Sequence, residues 1–112
     1  MPSSGDGGAG SESAQLKSLK MQRGQVKAQC TRFVTYLSQL DIRNTSVIEL
    51  RQRLLKFNET WSDFNAAQAA IEEIEQGLEN ARNHEKERFS FEERYFHIAS
   101  EIETLIESKT VN

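Results

Sequence analysis

One cysteine, one proline and two histidines in 112 residues leave little material for several common architectures. Cys30 alone cannot close an intrachain disulfide, and one thiol with two scattered histidines is too few for a structural zinc site. Disulfide scaffolds and zinc fingers are therefore excluded. No apolar run approaches the roughly 18 residues that span a bilayer. The first ten residues are polar, so a signal peptide is not expected either, and the chain is expected to be intracellular, soluble and cytoplasmic, with nuclear entry left open. Glycine-rich phosphate loops, nucleophile elbows and metal triads are also missing. No enzyme, cofactor or small-molecule substrate is implied.

Four of the six glycines, Gly5, Gly7, Gly8 and Gly10, stand in the first ten residues beside Ser3, Ser4 and Pro2. That composition predicts a flexible, disordered tail over residues 1–13. Beyond it only Gly24 and Gly77 interrupt the chain, so the turns that strands require are absent. The 37% hydrophobic and 28% charged content suits an elongated helical bundle better than a thick globular core.

Leu16, Leu19, Arg23, Val26, Cys30, Phe33, Leu37 and Leu40 follow alternating steps of three and four, a heptad seam with one charged member. The pattern breaks at Asp41–Asn44. Ser46 and Glu49 then stand at capping-box spacing. A second seam runs through Val47, Leu50, Leu54, Phe57, Trp61, Phe64, Gln68, Ile71, Glu75 and Leu78, widened by Ile48, Leu55 and Ile74. Such width implies more than one neighbour. Between Glu79 and Arg88 only Ala81 is apolar, and Asn80, Asn83 and His84 are weak helix formers, which predicts a second turn near residue 83. The third seam carries Phe91, Tyr95, Ile98, Ile102 and Leu105, with Phe89, Phe96, Ala99 and Ile106 beside it.

These readings predict an all-α fold, an elongated antiparallel three-helix bundle or coiled-coil hairpin with helices at about 14–40, 46–79 and 86–108. Folding about the predicted turns pairs Phe33 with Leu54 and Val26 with Trp61, sets Arg23 against Trp61 and Phe64, and brings Tyr95 near Ile71 and Leu105 near Trp61. All three seams then converge on Trp61. A competing layout has no second turn: one helix over 46–108, about 95 Å long at 1.5 Å per residue, that dimerises to bury its seam.

The net charge of −3 is unevenly spread. Residues 14–40 hold Lys17, Lys20, Arg23, Lys27 and Arg32 and no acid, whereas residues 41–81 and 82–112 carry −4 and −2. Lys17, Lys20 and Lys27 are the candidate contacts for RNA or an anionic membrane surface. Five charges over 27 residues are sparse, and complementarity with the acidic helices explains them better. Cys30 reads as a small buried hydrophobe, and His84 and His97 as solvated or locally bonded side chains. The glutamates read as solvated helix faces.

Trp61, Phe64, Gln68, Ile71 and Glu72, followed after a charged interval by Arg88, Phe91, Glu92, Tyr95 and Phe96, and preceded by Leu50, Arg51, Arg53 and Leu54, form a combination of motifs. It resembles the N-terminal helical region of Gag-like proteins from Bel/Pao-type LTR retrotransposons, over roughly residues 14–108. The resemblance implies a structural protein that assembles into RNA-packaging particles, with protease and reverse transcriptase encoded further along the polyprotein. Neither enzyme's motifs nor a zinc knuckle occur in this sequence. Pro2 stands where an acylated glycine would be needed, so no lipid anchor is expected. Trp61, Phe64, Phe91, Tyr95 and Phe96 are the expected core aromatic cluster. If the third helix ends near Phe57, then Leu37, Leu40, Val47, Ile48 and Leu50 form a two-helix end and a candidate oligomer contact. The expected partners are a second copy or another helical protein, and the alternative function is that of a host coiled-coil adaptor module binding a partner helix.

Overall fold

The computed structural model describes the backbone of residues 3–110 and the side chains of residues 14–110. Three helices follow in order: α1 (Ser3–Ser38), α2 (Val47–Ile74) and α3 (Leu78–Thr110). The tail expected over residues 1–13 lies outside the residues whose side chains are described. The molecule measures 72 × 26 × 18 Å, and its radius of gyration of 18.8 Å exceeds the roughly 13 Å of a compact domain of this length. The all-α, elongated antiparallel arrangement follows the heptad reading.

The first connection lies where the seam breaks. Asp41 organises it, its carboxylate accepting from the Arg43 amide and the Asn44 side chain, and its carbonyl accepting from the Asn44 amide and the Thr45 hydroxyl. Ser46 then caps α2 by accepting from the Glu49 amide at 3.0 Å. Only this half of the capping box forms. The Glu49 carboxylate turns instead to Arg53 and to the Tyr36 hydroxyl.

The second turn falls at Glu75–Gly77, earlier than residue 83. Gly77 adopts φ +129°, a conformation open to glycine and strained for any other residue. Asn80 and His84 lie inside α3, because weak helix formers cost only fractions of a kcal/mol each and do not stop a helix. The turn also removes the competing layout of one helix over 46–108.

This shift moves the whole register of α3. Tyr95, expected near Ile71, stacks on Phe57 at 5.1 Å and 11°. Leu105, expected near Trp61, packs instead against the Leu50, Ile102 and Ile106 cluster. α3 reaches the first connection, where Lys109 Nζ donates to the Ile42 carbonyl at 2.6 Å. The two-helix end expected at Leu37, Leu40, Val47, Ile48 and Leu50 is therefore covered: Leu50 is 0% exposed, with Leu37, Leu40 and Val47 packed around it. Only Ile48 of that set faces solvent.

The larger core cluster holds Val26 and Cys30 of α1, Phe57 and Phe64 of α2, and Phe91, Ile98 and Ala99 of α3. The seams meet on Phe57 and Phe64 rather than on Trp61, which is half-buried at the edge of this cluster. Phe33 lies 4.7 Å from Phe57, centroid to centroid, and packs on the same cluster as Leu54.

Candidate interaction surfaces and the buried polar network

The five expected aromatic residues do come together, but they run from the core to the surface. Phe64 and Phe91 are buried and stack at 4.0 Å and 1°. Trp61 lies 6.3 Å from Phe91 and 4.8 Å from Tyr95, and Trp61 and Tyr95 are half-buried at the α2–α3 seam. Tyr95 donates its hydroxyl to Asn58 Oδ1 at 2.7 Å, and burial pushes its pKa up. Phe96, 5.3 Å from Trp61, is 56% exposed. Helix periodicity sets Phe89 and Leu78, 64% and 92% exposed, on the same outer stripe of α3.

A groove of about 640 Å³ opens between α1 and α2. Phe33, Phe57 and Thr60 lie among its lining residues, and Arg32, Arg53 and Lys56 supply its cationic ones. The Arg53 guanidinium sits 3.8 Å above the Tyr36 ring, a cation–π contact worth about 0.5–1 kcal/mol at an exposed site. Among the described residues this is the arginine–aromatic pair that the fold makes. Arg23, expected on Trp61 and Phe64, instead donates to Gln68 Oε1 at 2.8 Å and approaches Glu87 at 3.8 Å.

Gln68 is the centre of a network near the second turn. It is 0% exposed. Its carbonyl oxygen accepts from Arg23, and its Nε2 donates to Glu72 at 3.1 Å and lies 3.5 Å from His84 Nδ1. His84 Nε2 meets the Glu75 carbonyl at 3.0 Å. Arg88 donates through two nitrogens to Glu72, at 2.7 and 3.1 Å, and through its third to Asn65 at 2.9 Å. These hydrogen bonds from Arg88 hold the Glu72 carboxyl below its ordinary range and raise the Arg88 pKa. No buried side-chain nitrogen or oxygen among the described residues lacks a partner. The clue in the sequence was that Arg23, Gln68 and Glu75 interrupt otherwise apolar seams, which the periodicity marked without saying what they meet.

The basic face of α1 is largely spent within the fold. Lys20 pairs with Glu75 at 2.8 Å, Lys27 pairs with Glu87, and Arg94 of α3 donates to Thr31. Of the three candidate polyanion contacts, Lys20 and Lys27 thus have acidic partners, Glu75 in the second turn and Glu87 on α3, and Lys17 lies one turn before Lys20. Cys30 is fully buried beside Thr60, and burial raises its pKa despite the Thr60 hydroxyl and the Arg94 charge. A thiol so placed stays protonated and acts as packing. His84 is locally bonded, as expected.

Among the described residues no group of three or more acidic, histidine or cysteine side chains is placed to hold a metal ion, and no helix is long and apolar enough to cross a membrane. No family model matches the chain, and neither a curated protein nor a solved structure matches it.

Proposed function

We propose that this chain is a structural assembly module that self-associates through helical faces, the role implied by the resemblance to Bel/Pao-type Gag-like proteins. One observation carries the reading: the aromatic series that begins in the core at Phe64 and Phe91 continues through Trp61 to an exposed Phe96. Large apolar side chains left in water beside a packed core gain free energy when a second surface covers them, by about 25 cal/mol per Å². The polar network serves that role indirectly. Its arginine, glutamine and carboxylate bonds are satisfied within the chain, so it fixes helix register and leaves the outer faces to make contacts.

Light scattering over increasing concentration tests this. The expected result is a mass that rises above the 12.8 kDa monomer and falls back on dilution, with Phe96→Ser lowering it at unchanged helicity. A strict monomer at high micromolar concentration overturns the reading. The α1–α2 groove favours a second reading, an adaptor that seats an acidic partner helix over Phe33 and Phe57. Stoichiometric capture of one helical protein, lost on Lys56→Glu, would mark that alternative.

A further inference from the structure

Three of the large apolar side chains left exposed, Leu78, Phe89 and Phe96, lie on α3. At 100° per residue they share one outer stripe with Arg82, Glu85, Ser100, Glu103 and Glu107. The inward-facing charges of the helix are accounted for by contacts: Glu87 to Lys27, Arg88 to Glu72, Arg94 to Thr31 and Lys109 to Ile42. What remains outside differs between the two ends of the helix. The N-terminal half carries both signs, Arg82 and Glu85 with Lys86 at the margin, and the C-terminal half carries only acid, Glu103 and Glu107. No ion pair within 4.0 Å joins these five side chains to another described residue.

We infer that the occupant of this stripe is the same stripe of a second copy, running antiparallel about a two-fold axis between Phe89 and Phe96. The inference rests on the self-association proposed above and names its surface. Setting Phe89 against Phe96 of the second copy puts Arg82 opposite Glu103 and Leu78 opposite Glu107. The two-fold repeats each pairing at both ends. A parallel alignment would set Arg82 against Arg82 and Glu103 against Glu103, so the charge order selects the antiparallel sense. Trp61, 5.3 Å from Phe96, widens the apolar centre toward α2. Two repulsions are built in, one on each side of the axis, where Glu93 lies across from Glu92 of the second copy. The dimer is therefore a reversible one.

Sedimentation equilibrium on the full chain tests this inference. Arg82→Glu turns two attractions into two repulsions and is expected to weaken dimerisation by roughly tenfold, given the modest strength of exposed pairs. Glu103→Arg should do the same, and the double variant Arg82→Glu/Glu103→Arg should recover most of the loss. Glu93→Gln should tighten the dimer. Melting curves at low concentration should not change, because these side chains face outward. Self-association indifferent to both charge reversals overturns the antiparallel α3 pairing and leaves assembly to another face. A monomer at every concentration overturns both proposals.

Discussion

The Glu72 carboxylate accepts from Nε and Nη2 of Arg88 and from Gln68, and that bonding keeps it ionised at a pH where a free carboxyl would take up a proton. The unfolded chain has no such partners, so its Glu72 protonates near the ordinary value of 4.5. As pH falls through that value the unfolded state binds the proton first, and unfolding is favoured. The contribution is therefore complete above about pH 4.5 and disappears as the folded carboxyl is titrated below it. Thermal melts between pH 7 and pH 3 should show stability falling in that window. In Glu72→Gln the fall should be shallower, from a lower plateau at neutral pH, since Arg88 keeps only part of its bonding. A wild-type profile flat through the window would mean that the Arg88 fork adds nothing to folding. Gln68 sets the orientation of the pair. Arg23 fixes its oxygen and Glu72 its nitrogen, so the side chain has one way round, and that explains why a polar residue belongs on the seam.

At the level of the elements, the two glycines beyond residue 13 do opposite things. Gly77 holds φ +129°, and a Cβ there would meet Glu79 Oε2 at 2.9 Å. The side chain can swing away; the backbone strain cannot be relieved that way. Gly77→Ala should therefore destabilise by about 1–3 kcal/mol. Gly24 lies within α1, where nothing stands within 4 Å of an added Cβ, so Gly24→Ala should stabilise by about 0.5–1 kcal/mol. Chemical denaturation of the two variants decides the matter, and equal effects would show that the Gly77 conformation is not required. This contrast also explains what was legible. The heptad steps located all three helices and the first connection, because a seam break followed by a cap has a local cause. The charged run 79–88 points to a turn that is too late, because its residues are only mildly averse to helix. The decisive signal was a single glycine, and its φ is a property of the folded path. A difference of several residues there displaces the pairings expected for Tyr95 and Leu105. The five aromatics stayed together regardless, since neighbouring turns of one helix present the same face.

Across the whole molecule, α2 is the shared element. Its Arg53 and Thr60 side meets Tyr36 and Cys30 of α1, while Asn58, Asn65 and Glu72 on the other side meet Tyr95 and Arg88 of α3. α1 and α3 share the core through Val26, Cys30, Phe91, Ile98 and Ala99, but of the three helix pairs they approach each other least, and the links Lys27–Glu87, Arg23–Glu87 and Arg94–Thr31 are partly exposed polar ones that add little to stability. Opening α1 or α3 alone therefore breaks mainly its interface with α2, whereas freeing α2 breaks both of the extensive ones. Amides open locally with free energies set by how much packing each opening disrupts. Native-state hydrogen exchange should accordingly find its slowest amides in α2 between Phe57 and Ile71, exchanging only on global unfolding. Those of α1 and α3 at the same distance from their helix ends should exchange sooner. A slowest set on α3 instead would mean that the core faces of Phe91, Ile98 and Ile102 survive without the helix they pack on, and that the α1–α2 hairpin is the part that opens.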